Sequence, residues 1–176
     1  SSSMLLREVS LEPIVLGPKE GLALINGTQF ILAFAVKAVQ MLYNCLEAAD
    51  IIGAMSLESL TGTKAPFDER LHELRPYRGN KLVAQRLRRL LADSQIMESH
   101  MDCGRVQDPY SLRCMPQVHG ATRNAWLHLK ELVSIELNSV TDNPIIFSAD
   151  DTVSGGNFHG QPLALPLDYA CFAASE

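Results

Sequence analysis

Three side chains in the stretch Val106–Cys114, VQDPYSLRC, are of types that handle protons and carboxylates: Gln107, Tyr110 and Arg113, spaced by three. Residues three apart on a helical turn share a face, so the spacing predicts one polar face carrying an amide, a phenol and a guanidinium. A guanidinium offers a rigid fork that matches a carboxylate, which makes Arg113 a candidate clamp. A phenol beside a cation can give up its proton and serve as a general base, the role open to Tyr110. Gln107 adds an uncharged amide able to orient a polar group. A helix start with a solvated face, in which Tyr110 packs and Arg113 caps or pairs at the surface, has the same spacing; the residues alone allow both readings.

Two other clusters imitate sites. His100, Cys103, Cys114 and His119 form a His-x2-Cys-x10-Cys-x4-His array of zinc-type ligands. Both ends run into helical sequence and no turn-forming knuckle surrounds Cys103, so no metal is expected. The stretch GGNFHG, Gly155 to Gly160, has the outer glycine spacing of a phosphate loop, but Gln161 and Pro162 stand where its Lys and Ser or Thr belong. Its glycines instead predict a main chain that approaches something closely while Phe158 is held out of the loop.

The elements that must position these residues read as helices. Gln29 to Leu46 is apolar enough to raise the question of a membrane span. Lys37, Gln40, Asn44 and Glu47 make one narrow polar stripe on it, which predicts a central bundle helix enclosed by others, because charges facing lipid are costly. Gly62 and Pro66 break that helix, DERLHEL is a short helical segment, and RPYRGN is a loop. An amphipathic helix is predicted from about Asn80 to Met97, and another from Pro116, a favoured first-turn residue, through to the TDNP stop. Residues 143–162 combine a β-branched and aromatic run, an acidic turn and three glycines, which predicts a loop or small hairpin. LALPLDYACFAASE resumes helix without a capping residue, so the chain is expected to be cut inside a longer helix. The class predicted is all-α, a bundle of long helices.

Composition narrows the partners. A hydrophobic share of 47% in 176 residues suffices for one ordinary core. The formal charge of -5, with no basic run denser than RLRRL at Arg86–Leu90, gives no electrostatic footprint for nucleic acid or an anionic membrane. Small molecules or proteins remain. Cys45, Cys103, Cys114 and Cys171 form no Cys-x-x-Cys pair, which predicts a reducing, cytoplasmic setting. SSSMLL lacks the basic start and cleavage site of a secretory signal, and residues 1–10 are expected to be a disordered end or an appended tail.

Four blocks then carry a resemblance: GPKEGLALINGTQ at Gly17–Gln29, VQDPYSLRCMPQVHGA at Val106–Ala121, ELNSVTDNP at Glu136–Pro144 and SGGNFHGQP at Ser154–Pro162. Together, and in this order, they resemble the aromatic amino acid ammonia-lyase and aminomutase family. The wording QDPYSLRC and SGGNFHG is closer to its histidine ammonia-lyases than to its phenylalanine or tyrosine enzymes. The resemblance implies elimination of ammonia from an amino acid, histidine to urocanate for the histidine branch of amino acid catabolism. It also implies a homotetramer and a methylidene-imidazolone electrophile formed from an Ala-Ser-Gly tripeptide. Tyr110 matches the family's base, Arg113 its carboxylate-binding arginine and Gln107 an active-site amide. Asn26 matches the asparagine beside the prosthetic group and Phe158 an aromatic near it. No Ala-Ser-Gly occurs in this sequence. Residues 1–176 are therefore expected to be an internal part of the central catalytic region, inactive alone. Tyrosine or phenylalanine chemistry, aminomutase action and a non-catalytic assembly module are the alternatives.

Overall fold

In the computed structural model, residues 2–101 and 104–176 are described. The helices α1 (Ser2–Glu8), α2 (Glu20–Ala23) and α3 (Gln29–Ser59) come first, then a 3-10 turn at Ala65–Phe67. Helices α4 (Glu69–Leu74), α5 (Arg78–Leu90), α6 (Gln95–Ser99), α7 (Tyr110–Arg113) and α8 (Met115–Glu136) follow. A hairpin of β1 (Ile145–Ile146) and β2 (Thr152–Val153) precedes α9 (Gln161–Ser175). The all-α class is correct, and its one small sheet falls inside the segment expected to depart from helix. The strands are antiparallel, with Ile145 opposite Val153 and Ile146 opposite Thr152.

The helix expected over 80–97 is two helices. Leucine periodicity continues through the break, but Ser94 restarts the backbone: its hydroxyl accepts the amide of Met97 as an N-cap and donates to Glu58 of α3. The serine-led start folds into α1, none of whose residues is buried.

The chain forms two compact units, Ser1–Phe30 with Val140–Gly160 and Ile31–Ser139 with Gln161–Glu176. In the larger one, α3 contributes Ala54 and Leu57 to a core shared with Phe67, Val83, Ala84, Leu87, Leu91, Met97, Leu112 and Met115. Leu112 of the short α7 and Met115 at the start of α8 are thus seated in that core, which fixes the turn carrying Tyr110 and Arg113. A second cluster joins Ala35, Leu129, Val133, Leu163 and Ala170 of α3, α8 and α9. Helices α5 and α8 cross where Gly79 meets Gly120; a Cβ on Gly79 would collide with the Gly120 carbonyl. The Gly79 amide donates to Asn124 Oδ1 across that crossing at 2.8 Å.

Helix α3 is enclosed on one side only, contrary to the expectation of a surrounded helix: Phe34, Met41, Ile52 and Met55 are exposed. Among the described residues it is the helix long and apolar enough to cross a membrane. Its fully buried Asp50, however, is committed to charged partners on neighbouring helices. Asp50 Oδ2 accepts from Arg123 Nη2 of α8 at 2.7 Å, and Oδ1 lies 2.9 Å from His119 Nδ1. Glu47, one turn earlier, pairs with Arg86 of α5 at 2.6 Å and with Arg123 at 3.3 Å. That ionic seam faces protein, as a bundle helix requires.

In the smaller unit the backbone at Gly27 passes so close to the Thr141 carbonyl that a Cβ there would collide with it. The glycine thereby lets the segment carrying Asn26 lie against the residues preceding the hairpin.

Candidate active site

Proline shapes the backbone that carries Tyr110 and Arg113. The residue before a proline is steered away from helical backbone, so the turn starts only after Pro109, which caps α7 at φ -51 and ψ 147. Tyr110 and Arg113 share a single helical turn; Gln107 lies in the preceding loop, so the three do not form one helical face as their spacing predicts. Asp108 ties this loop down. It is buried, its Oδ2 accepts the Thr63 amide at 2.6 Å, and its main-chain carbonyl accepts Arg113 Nε at 2.8 Å. This last bond aims the guanidinium and leaves both Nη groups without a partner among the described residues.

Gln107 and Arg113 nevertheless line one cleft of about 440 Å³, with Thr63, Pro66, Cys114 and Gln117 among its walls. Gln117 Oε1 is buried and has no hydrogen-bond partner among the described residues. Tyr110 is 76% exposed, and its phenol has no partner among the described residues. The arrangement offers a fixed cation with two free N–H edges, two amides and an accessible phenol: groups able to bind a carboxylate and exchange a proton. Sequence reasoning missed Asp108 and Gln117, although Asp108 directly precedes the proline and Gln117 stands one helical turn beyond Arg113.

Asn26 and Phe158 belong to the smaller unit. Asn26 Nδ2 donates to Asp142 Oδ1 at 2.9 Å, and its carbonyl oxygen has no partner among the described residues. Lys19 Nζ holds the other Asp142 oxygen at 2.6 Å and also donates to the Pro144 carbonyl at 2.8 Å. The Lys19 hydrogen bond, then those from Asn26 and the Asn143 backbone, lower the Asp142 carboxyl from the ordinary 3.8 to about 2. The glycine loop is tied back through Asn143 Oδ1, which accepts from Ser154 Oγ at 3.2 Å and from the Gly155 amide at 2.8 Å. Phe158 is 42% exposed, held partly out of the loop as its glycines predict.

Of the zinc-type array, Cys103 lies outside the described residues and His119 is engaged by Asp50. Among the described residues no group of three or more His, Cys, Asp or Glu is placed to hold a metal.

Comparison with known proteins places this helical scaffold in a family. The family model described as aromatic amino acid lyase matches residues 1–176, and the chain belongs to that family. It is 54% identical over 181 residues to a histidine ammonia-lyase of Sorangium cellulosum, covering 99% of this chain and 35% of that protein. The crystal structure of histidine ammonia-lyase from Trypanosoma cruzi superposes with a TM-score of 0.84 at 42% identity, over 98% of this chain and 32% of that one. Tyrosine aminomutase from Streptomyces globisporus superposes at 0.89 with 33% identity, over 98% and 36%. The chain spans about a third of the length of the curated relatives it matches.

Proposed function

We propose that this chain is the central part of a histidine ammonia-lyase, a carbon–nitrogen lyase that converts L-histidine to urocanate and ammonia. The observation that carries the reading is identity. All of these enzymes share the fold, so the higher TM-score of the aminomutase does not select a substrate. The step from 33% identity with that aminomutase to 54% with a histidine ammonia-lyase does favour one.

In this reading the free Nη edges of Arg113 hold the substrate carboxylate, and Gln107 orients a polar group in the same cleft. Tyr110, as general base, takes a proton from the carbon next to the imidazole. That carbon–hydrogen bond breaks, a carbon–carbon double bond forms, and the carbon–nitrogen bond at the neighbouring carbon breaks to release ammonia. Ammonia is a poor leaving group, and the methylidene-imidazolone supplies the electron-accepting chemistry that this departure needs. Its Ala-Ser-Gly precursor does not occur in this sequence, so the group has to come from outside these 176 residues. The residues present fit its neighbourhood: Asp142 holds Asn26 by its amide nitrogen with the carbonyl oxygen left over, and Phe158 offers a half-exposed ring. The whole protein acts as a cytoplasmic homotetramer in histidine breakdown, and the exposed apolar side of α3 supports burial against further protein.

The test is steady-state kinetics of the full-length protein with L-histidine, L-tyrosine and L-phenylalanine. Histidine is expected to give the highest kcat/KM and urocanate as product. Preference for tyrosine or phenylalanine, or accumulation of a β-amino acid, would assign the chain to another branch of the family.

A further inference from the structure

One polar group in the cleft is left over by the mechanism. Gln117 sits in the first turn of α8, where its amide donates to the Cys114 carbonyl at 3.0 Å. Its side-chain oxygen is buried without a partner among the described residues, and Gln117 lines the same cleft as Arg113 and Gln107. A buried acceptor with no donor has lost its water hydrogen bonds without replacement, and such groups in folded proteins call for a donor that binds there. Four residues earlier, Arg113 has the complementary deficit: Nε is used by the Asp108 carbonyl and the two Nη groups have no acceptor among the described residues. The cleft therefore presents an unsatisfied acceptor and an unsatisfied cationic donor one helical turn apart.

Resting on the histidine ammonia-lyase reading, we infer that Gln117 is a further substrate-binding residue: its side-chain carbonyl accepts a hydrogen bond from the substrate's α-amino group while Arg113 holds the α-carboxylate. An α-amino acid carries a cationic donor and an anionic acceptor on one carbon, and this pair of deficits matches it. The contact also distinguishes substrate from product. Urocanate keeps the carboxylate and the imidazole but has no amino group, so it binds Arg113 without satisfying Gln117, which favours its release.

The experiment compares two ligands in the full-length protein: L-histidine, and 3-(imidazol-4-yl)propanoate, which lacks only the amino group. Dissociation constants are measured for the unaltered protein, Gln117→Leu and Gln117→Glu, with circular dichroism as the check on folding. In Gln117→Leu, histidine binding is expected to weaken by roughly tenfold to a hundredfold, the range for a lost hydrogen bond to a charged group, with desamino analogue binding unchanged. Gln117→Glu retains an acceptor and adds charge, so it should bind histidine at least as tightly as the unaltered protein, again without effect on the analogue. It decides the matter if the leucine variant does not fold. Equal weakening of both ligands would make Gln117 a packing residue, and unchanged histidine binding would remove it from the site; either result overturns the inference. Failure of the unaltered protein to turn over histidine would instead overturn the reading on which the inference rests.

Discussion

In the proposed function, Tyr110 is the group on which the proton transfer turns. Its ring is largely exposed, so Tyr110→Phe removes only a hydroxyl that supports no packing. In the full-length protein, kcat for histidine should fall by about 100-fold to 10,000-fold with an unchanged circular dichroism spectrum; a variant within a few-fold of the unaltered rate would remove Tyr110 as the base. Arg113→Lys preserves charge but loses both the planar fork and the Nε bond that aims it at the cleft. KM for histidine should rise by roughly tenfold or more, as expected when a bidentate charged contact is lost, and an unaltered KM would argue against the carboxylate role. Asp142 gives a pH signature. Its folded-state carboxyl lies at about 2, below the ordinary 3.8, so the stabilisation it provides is fully present above 3.8 and is lost as pH falls toward 2. A carboxyl-carbon titration by NMR should find its midpoint well below that of an ordinary aspartate, and a midpoint near 3.8 would show that Lys19 and Asn26 do not hold it. The shared turn of Tyr110 and Arg113 was legible because it is local, whereas the tie between Asn26 and Asp142 spans 116 residues of sequence and has no local trace.

At the scale of elements, the site depends on how α3, α5 and α8 are clamped. Asp50 is 0% exposed and faces Arg123 and His119, which stand 73 and 69 residues away in sequence. Removing one partner of a buried ion pair leaves the other charge uncompensated, which typically costs about 3 to 5 kcal/mol. Asp50→Ala should therefore lower the unfolding midpoint far more than Lys81→Ala, which breaks the exposed Lys81–Glu73 pair and costs under about 1 kcal/mol. Comparable losses in urea unfolding would contradict the clamp. Helix α8 was legible from Pro116, since proline in a first turn has neither a clash nor a lost bond to penalise it. The break after α5 was hidden because Leu90 and Leu91 continue the apolar rhythm, while the signal that ends it is the Ser94 cap and its tertiary partner Glu58. Gln107 was placed on a helical face by spacing alone; the proline two residues later decides the backbone instead.

For the whole molecule, the chemistry is divided. In the proposed function the chain contributes a base, a carboxylate clamp and orienting amides, all nucleophilic or hydrogen-bonding groups, and none of them accepts an electron pair from a departing substrate. No Ala-Ser-Gly tripeptide occurs in these 176 residues, and a base and a clamp without an electron acceptor would bind substrate and stall. The measurement that bears most directly on this account is urocanate absorbance from L-histidine, followed side by side for the purified 176-residue chain and for the full-length protein that carries it. Steady urocanate formation is expected from the full-length protein and none from the chain alone. Urocanate from the chain alone that survives repurification, or none from the full-length protein, would contradict the account.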